Sequence, residues 1–175
     1  MFTIQNLLII TLLLPLLGSI FLSITPSSEH SLIRSTSLNF SCITFIFSLF
    51  LWFFFNKSLG SFQFVTKFFW IPNLNLNIVF GIDGISIFFI ILTTLLIPLC
   101  FLTSWTSINK NLKEFFLAFL IMEFFLIIVF CVLDLLLFYI FFESVLIPMF
   151  LIIGIWGSRE RKIRAAYFFF LYTLL

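Results

Sequence analysis

The feature that most constrains this chain is a long apolar run in its second half. From Phe115 to Trp156 the only charged side chains are Glu123, Asp134 and Glu143. At about 1.5 Å rise per residue, a straight helix over this run would measure roughly 63 Å, twice the thickness of the hydrocarbon core of a bilayer. The run must therefore fold back on itself. We expect the turn at Asp134, because a charge belongs at the membrane surface, and we expect two antiparallel membrane helices around it.

The composition supports a membrane location for the whole chain. Of the 175 residues, 63% are hydrophobic and 9% are charged, whereas a soluble domain carries about 25% charged residues. A soluble globule could not hide this much apolar surface, and a disordered chain is far more polar. The net charge is only +2, so the chain lacks the large excess of basic residues that is typical of nucleic-acid binding. The three cysteines share no metal-ligand spacing, so we expect no metal and no bound cofactor in this chain.

Polar interruptions predict an all-α polytopic membrane protein, with a single transmembrane domain over residues 1–175. Six apolar segments cover approximately residues 7–24, 38–55, 85–105, 115–133, 135–156 and 165–175, the last of them incomplete. The first segment has no Lys or Arg before it and is long enough to span, so we interpret it as a retained helix rather than a cleaved signal. In the loop over 56–80, an alternation of polar and apolar residues from Asn73 to Ile78 predicts a short strand.

The basic residues predict the orientation of the chain. If the six segments alternate in direction, seven of the nine Lys and Arg residues fall in loops on one side. They are Arg34, Lys110, Lys113, Arg159, Arg161, Lys162 and Arg164. The basic side of a membrane protein faces the compartment in which it was made, so the N-terminus and the loop over 56–80 are predicted on the outer side. The dense basic loop from Arg159 to Arg164 is expected to anchor this topology beside anionic lipid headgroups.

Glu123 and Glu143 are the main candidate functional residues. They lie eleven residues before and nine residues after Asp134, which places them roughly 16 and 14 Å below the membrane surface at about 1.5 Å per residue. The midplane of the bilayer lies about 15 Å down. An acidic residue at this depth costs about 2.5–3.5 kcal/mol on insertion and usually marks an ion or proton path. A proton relay is therefore one interpretation, and hydrogen bonding between helices is the other.

Four secondary candidates flank these two glutamates or precede the third segment. Asp134 is the expected surface turn. Asp83, between two glycines before the third segment, is a good helix N-cap. Pro148 removes the backbone partner of the Ser144 carbonyl, next to Glu143, and could supply an acceptor or a water site there. The simpler interpretation of Pro148 and Ser144 is a proline kink that the helix tolerates.

Two stretches of the sequence resemble a known family. The sequence DLLLFYIFFESVLIPM from Asp134, continuing through GIWGSRER to Arg161, resembles the NADH–ubiquinone oxidoreductase chain 4 family of mitochondria. The sequence GIDGIS at 81–86 resembles the entry to the third helix in the same family. The resemblance covers residues 81–175, whereas residues 1–80 fit it only in hydropathy.

The resemblance implies an antiporter-like, proton-translocating subunit in the membrane arm of respiratory complex I, in the mitochondrial inner membrane. It implies that Glu143 belongs to a proton channel coupled to lysines in later helices, and that Glu123 matches a second acidic position one helix earlier. Flavin, iron–sulfur clusters and quinone are then expected in other subunits, with none in this chain. The expected partners are other membrane-arm subunits and lipids, with no nucleic acid.

The sequence stops at Leu175 inside an apolar run, whereas the family continues through many more helices. Either a separately encoded chain supplies the remaining C-terminal helices, or the chain is a truncated or partly represented subunit. Two other functions stay open at this point. One is a structural or assembly module of the membrane arm, and the other is a subunit of a cation/proton antiporter of the same ancestry.

Overall fold

The computed structural model describes residues 6–71, 76–108 and 110–174, which fold into six helices and one two-stranded sheet. The helices are α1 (Leu7–Ile24), α2 (His30–Phe54), α3 (Ser86–Thr103), α4 (Leu112–Cys131), α5 (Leu135–Trp156) and α6 (Lys162–Leu174), and the strands are β1 (Gln63–Ile71) and β2 (Leu76–Ile82).

Five of these helices, α1 to α5, are long and apolar enough to cross a membrane. The predicted class, a helical multi-pass membrane protein, is therefore confirmed. Helix α6 has 13 residues, which corresponds to about 20 Å and falls short of a full span. Helix α2 begins at His30, well before the apolar segment predicted from residue 38, because hydropathy delimits the part of a helix inside the membrane and not the polar turns that extend beyond it.

The first four helices form an antiparallel bundle with α5 and α6 on its outside. Helix α1 packs against α2 and α4, and α3 packs against α2 and α4, while α5 packs against α4 and α6. Each helix of the bundle contributes large apolar side chains near its two ends. They form two separate buried clusters, one at each end of the bundle.

The two clusters are called here the hairpin-end cluster and the loop-end cluster. The hairpin-end cluster contains Leu8, Leu12, Leu51, Phe64, Ile82, Ile87, Ile90, Ile127, Ile128 and Cys131. The loop-end cluster contains Leu22, Ile33, Ile97, Phe101, Leu112, Phe115, Phe116 and Leu120. Each of the four helices runs from one cluster to the other, and successive helices run in opposite directions.

Strands β1 and β2 form an antiparallel hairpin at one end of the bundle. The hairpin is bonded to the turn between α4 and α5, because the Leu133 N–H donates to the Val79 carbonyl at 2.9 Å and Phe80 forms a bridge with Val132. Of the strand predicted from Asn73 to Ile78, residues 76–78 lie in β2, and residues 73–75 lie outside the described residues. Strand β1 was missed because its mostly apolar sequence lacks a period of two.

Gly18 on α1 packs against Phe40 on α2, and we predict that Gly18→Ala destabilises the bundle. A Cβ atom at this position would lie 2.9 Å from both Cβ and Cγ of Phe40 on α2. Relieving that overlap should cost about 1–3 kcal/mol. The measurement is the midpoint of thermal unfolding of the membrane assembly that contains the chain. Gly60→Ala is the control, because a Cβ there meets nothing within 4 Å. Equal midpoints for the two variants would contradict the close approach.

Candidate functional site

Glu123 lies in the interior of the helix bundle. Its side chain is on α4 between Leu120 of the loop-end cluster and Ile127 of the hairpin-end cluster, and it is 0% exposed. Among the described residues, neither carboxyl oxygen has a hydrogen-bond partner. Buried polar groups in native proteins are nearly always hydrogen-bonded, so an orphaned carboxyl calls for a functional or a solvent-based explanation. Glu123 is therefore the strongest candidate in the described structure.

The surroundings of Glu123 include buried hydroxyl groups that the sequence analysis missed. Buried Ser and Thr side chains on α2 and α3 face the interior of the bundle. On α2 they are Ser37, Ser41, Thr44 and Ser48, and on α3 they are Thr93 and Thr94. Their spacing on α2, at intervals of four, three and four residues, is the spacing of one helix face. That spacing is the sequence pattern that could have identified them.

Glu143 occupies a different environment from Glu123. It is half-buried on α5, in a row of residues spaced four apart that are otherwise exposed. Its neighbours in the row are Leu135, Tyr139, Ile147 and Leu151, which are 83%, 59%, 59% and 43% exposed. This row is called here the α5 ridge. A carboxyl in the middle of an otherwise apolar ridge has no reason to face lipid, so the ridge is suited to a further protein surface.

The structure places α4 and α5 side by side, but it does not join the two glutamates. Glu143 cannot be a hydrogen-bond partner of Glu123, because both Glu123 oxygens lack one. The sequence predicts the depth of each carboxyl from its distance to Asp134, but it does not predict the rotation of each helix. Helix α5 is apolar on all sides, so its periodicity carries no information about which side is buried.

Asp134 is the N-cap of α5, and Asp83 accepts a hydrogen bond from the first residue of α3. The Asp134 carboxylate accepts hydrogen bonds from the N–H groups of Leu136 and Leu137, at 2.9 and 3.2 Å, at the start of α5. The Asp83 carboxylate accepts one at 2.6 Å from the N–H of Ser86, the first residue of α3. The Ser86 hydroxyl and N–H together lower the pKa of Asp83 below its usual value. Both aspartates thus satisfy backbone groups at the ends of helices, as capping predicts.

Ser144 and Pro148 show no arrangement that sets them apart from ordinary membrane helix residues. The Ser144 hydroxyl donates to the Ile140 carbonyl at 2.8 Å, and Pro148 is buried. Pro148 also lines a groove between α4 and α5 together with Phe125 and Leu151. The local geometry therefore agrees with the kink interpretation, and nothing among their contacts directs either residue to Glu143.

The basic loops come together at one end of the bundle. Arg34 at the start of α2 donates to the Ile108 carbonyl in the loop before α4. Lys113 donates to the carbonyls of Ser23 and Thr25 at the end of α1, both at 2.8 Å. Trp156 at the end of α5 donates to the Lys110 carbonyl. Through these contacts, the loops that follow α1, α3 and α5 lie on the same side of the bundle, opposite the hairpin.

The basic loop after α5 lies at this same end. Residues 159–161 of the loop are exposed, and α6 begins at Lys162. Arg159, Arg161, Lys162 and Arg164 thus carry four positive charges within one surface segment. Over residues 6–71, 76–108 and 110–174, no group of three or more His, Cys, Asp or Glu side chains is placed to hold a metal ion.

Comparison with known proteins confirms the family resemblance seen in the sequence. The family described as NADH:quinone oxidoreductase/Mrp antiporter, TM matches residues 132–175. NADH-ubiquinone oxidoreductase chain 4 of Chondrus crispus is 62% identical over 170 residues, which cover 97% of this chain and 35% of that protein. The chain 4 of Arabidopsis thaliana is 60% identical over 164 residues, which cover 94% of this chain and 33% of that protein.

A solved structure supports the same relationship at the level of the fold. One chain of respiratory complex I from Thermus thermophilus with bound NADH superimposes with a TM-score of 0.78 and 27% sequence identity. The match covers 95% of this chain and 32% of that chain. The present chain thus spans about a third of the length of the relatives it matches, which fits an N-terminal portion of an antiporter-like complex I subunit.

We predict that Asp134 acts as a helix cap rather than as a proton carrier. Asp134→Ala should weaken the first turn of α5 by about 1 kcal/mol, whereas Asp134→Asn keeps an accepting oxygen and should cost much less. The measurement is hydrogen exchange at the Leu136 and Leu137 amides in the membrane assembly. We expect about fivefold faster exchange in the Ala variant. If the Asn variant exchanges as fast as the Ala variant, the charge and not the cap is what matters.

Proposed function

We propose that this chain is part of the proton-translocating membrane arm of a respiratory NADH:ubiquinone oxidoreductase in the mitochondrial inner membrane, with Glu123 and Glu143 carrying protons. The observation that carries the proposal is the Glu123 carboxyl, which is completely buried on a membrane-spanning helix without a hydrogen-bond partner in the described structure. The similarity of the chain to NADH-ubiquinone oxidoreductase chain 4 proteins supports the proposal.

The energetics favour a role for Glu123 beyond holding the helices together. A buried carboxylate without a partner is costly, and a carboxyl acting as structural glue would be bonded to a neighbouring helix. By contrast, a carboxyl that takes up and releases a proton changes its hydrogen-bond partners whenever its charge changes. The unpartnered oxygens of Glu123 match this second behaviour. Its proton must come and go through groups or water that reach the interior of the bundle.

Glu143 needs a partner from outside the described bundle. The Lys and Arg side chains of the described helices all lie within a first or second helical turn, far from the depth of Glu143. The α5 ridge that carries Glu143 is uncovered. We propose that further helices, from the same polypeptide or from a separate chain, cover this ridge and bring a basic side chain to Glu143. Flavin, iron–sulfur clusters and quinone would belong to other subunits of the assembly, which couple electron transfer to this proton path.

A second candidate function is a structural module that holds the membrane arm together. The observation that favours it is the same uncovered ridge, because an apolar surface of this length is suited to assembly with other helices. In that case the carboxyl of Glu143 would fix the position of a neighbouring helix without moving a proton. The cation/proton antiporter of the same ancestry differs from both in the ion that it transports, and dependence of transport on sodium would identify it.

The grouping of the basic loops supports a proposed orientation. The loops after α1, α3 and α5 share one end of the bundle. Together with the first two turns of the helices that follow them, these loops contain seven of the nine Lys and Arg residues. By the positive-inside rule this end faces the mitochondrial matrix. The hairpin and the N-terminus then face the intermembrane space, and the segment from Arg159 to Arg164 lies against anionic headgroups of the inner leaflet.

We predict that Glu143→Gln and Glu123→Gln each lower the number of protons moved per electron in the assembled complex. Glutamine keeps the size and polarity of the side chain but cannot carry a proton. The measurement is proton uptake into sealed vesicles alongside NADH:ubiquinone electron transfer. Glu114→Gln is the matched control, because Glu114 is exposed in the first turn of α4 and should leave the ratio unchanged.

The two proposed functions predict different results from the same variants. A structural module predicts less assembled complex with an unchanged proton-to-electron ratio in what remains. A proton path predicts normal assembly with a lower ratio. If both variants assemble normally and keep the full ratio, neither carboxyl belongs to the path.

We predict that a cysteine at Ser158 is labelled from the matrix side and a cysteine at Ser58 from the opposite side. Both serines are exposed in loops, at the two ends of the bundle. The measurement is the reaction of Ser158→Cys and Ser58→Cys with a membrane-impermeant maleimide, in intact mitoplasts and in inside-out vesicles. Labelling of Ser158→Cys in mitoplasts would reverse the proposed orientation.

A further inference from the structure

A groove runs along the outer side of α2 toward the hairpin end of the bundle. Its apolar part is lined by Ile46, Leu49, Phe50, Trp52 and Phe53. Four of these residues are spaced three or four apart, so they share one helix face. At about 3.6 residues per turn, this face points away from the buried side of α2, which carries Thr44, Ser48 and Leu51 at the same level. The groove therefore lies on the outer surface of the described bundle.

The groove continues past the end of α2 into a polar pocket. The polar pocket is lined by Trp52, Phe53, Phe55, Asn56, Lys57 and Ser58. Trp52 and Phe53 also line the apolar part, so the two parts are continuous. The stretch from Ile46 to Phe54, the last residue of α2, measures about 12 Å, which fits within one leaflet of a hydrocarbon core about 30 Å thick. The groove is thus apolar along one leaflet and polar at the membrane surface.

The polar pocket offers hydrogen-bond donors. The Lys57 ammonium lies over the Trp52 ring, 5.6 Å from its centroid, and has three N–H donors. The Asn56 side-chain oxygen accepts from the N–H and the hydroxyl of Ser58, at 3.1 and 2.7 Å, which leaves the NH2 of that amide to bind a ligand. The indole N–H of Trp52 is a third donating group. None of the described residues that line the pocket is acidic. The pocket therefore suits a ligand that is negatively charged and rich in acceptors.

The hairpin holds the polar pocket in place. The Asn56 N–H donates to the side-chain oxygen of Gln63 at 2.9 Å, and the Gln63 amide donates to the Asn56 carbonyl at 2.6 Å. Gln63 is the first residue of β1, so two hydrogen bonds fasten the turn after α2 to the sheet. The bond from the Ser58 N–H to the Asn56 side chain closes an Asx-turn between them. Because the backbone is held in this way, a ligand that binds there has little of the chain to order.

We propose that this groove binds one phospholipid of the leaflet at the hairpin end, with its phosphate in the polar pocket and an acyl chain along Ile46, Leu49 and Phe50. A phosphodiester supplies the negative charge and the acceptor oxygens that match the donors of the pocket, and the attached acyl chain fills the apolar part. A helix of another subunit would have to supply an anion at the height of Lys57, whereas a phospholipid always carries one there. Trp and Lys side chains at the ends of membrane helices are suited to this level of the bilayer.

The site does not depend on the proposed proton path. It lies on the side of α2 that faces away from the bundle interior, which contains Glu123. A lipid bound there would add apolar contacts to α2 and an anion to the turn that joins α2 to the hairpin.

The test is a cryo-electron microscopy map of the intact membrane assembly in its native lipid. The proposal predicts forked density with a phosphate oxygen within about 3.2 Å of the Lys57 nitrogen and a tail that contacts Ile46 and Leu49. Lys57→Met keeps the length of the side chain but removes its charge and its donors, so the density should be lost. Lys67→Met is the matched control, because Lys67 is exposed on β1 at the same end of the bundle and does not line the groove. The density should stay unchanged in that variant.

Four results would overturn the proposal. The first is a protein helix in the groove, and the second is a groove without density in the unmodified protein. The third is density in the polar pocket without a tail, which would identify a free phosphate. The fourth is density of equal strength in the Lys57→Met and Lys67→Met maps, because a lipid held by apolar contacts alone would not be recognised by the pocket. Each of these results leaves the proposed function to be judged by its own measurement of proton stoichiometry.

Discussion

The absence of water from the interior of a bilayer is the constraint on which the rest of this structure depends. Each polar group inside the membrane must find its partner within the protein, and nearly all of them here do so within one helical turn. The hydroxyls of Ser37, Ser41 and Thr44 donate to carbonyls of their own helix, and Asp134 closes the exposed start of α5. The two oxygens of Glu123 are exceptional because neither has a hydrogen-bond partner in the part of the chain that the structure describes.

Hydropathy and helix length predict much of this fold because they indicate where along the chain each membrane helix lies and where the chain must turn back. The fold-back near Asp134 follows from the thickness of a bilayer, and helix α1 spans Leu7–Ile24, the whole of the first apolar segment. The same information cannot supply the rotation of a helix about its axis. Glu123 and Glu143 look equivalent in the sequence, since both lie at the same depth in apolar helices. Only three-dimensional packing separates the first, which is enclosed, from the second, which lies on an open ridge.

The arrangement of helices divides the described chain into an enclosed part and an open part. Helices α1 to α4 bury their polar side chains among themselves, with the two apolar clusters closing both ends. Helix α5 contributes few buried residues and keeps the side that carries Glu143 uncovered. The described helices thus enclose the carboxyl of Glu123 and leave the carboxyl of Glu143 half-buried at the surface of α5.

The hairpin has a mechanical consequence for both carboxyls. Because Leu133 and Val132 are tied to β2 through Val79 and Phe80, the reversal between α4 and α5 cannot slide along the membrane normal independently of the strands. Glu123 lies on α4 eleven residues before Asp134, and Glu143 lies on α5 nine residues after it. The two strands therefore hold the reversal between α4 and α5, from which both acidic residues extend along their helices, in a fixed position.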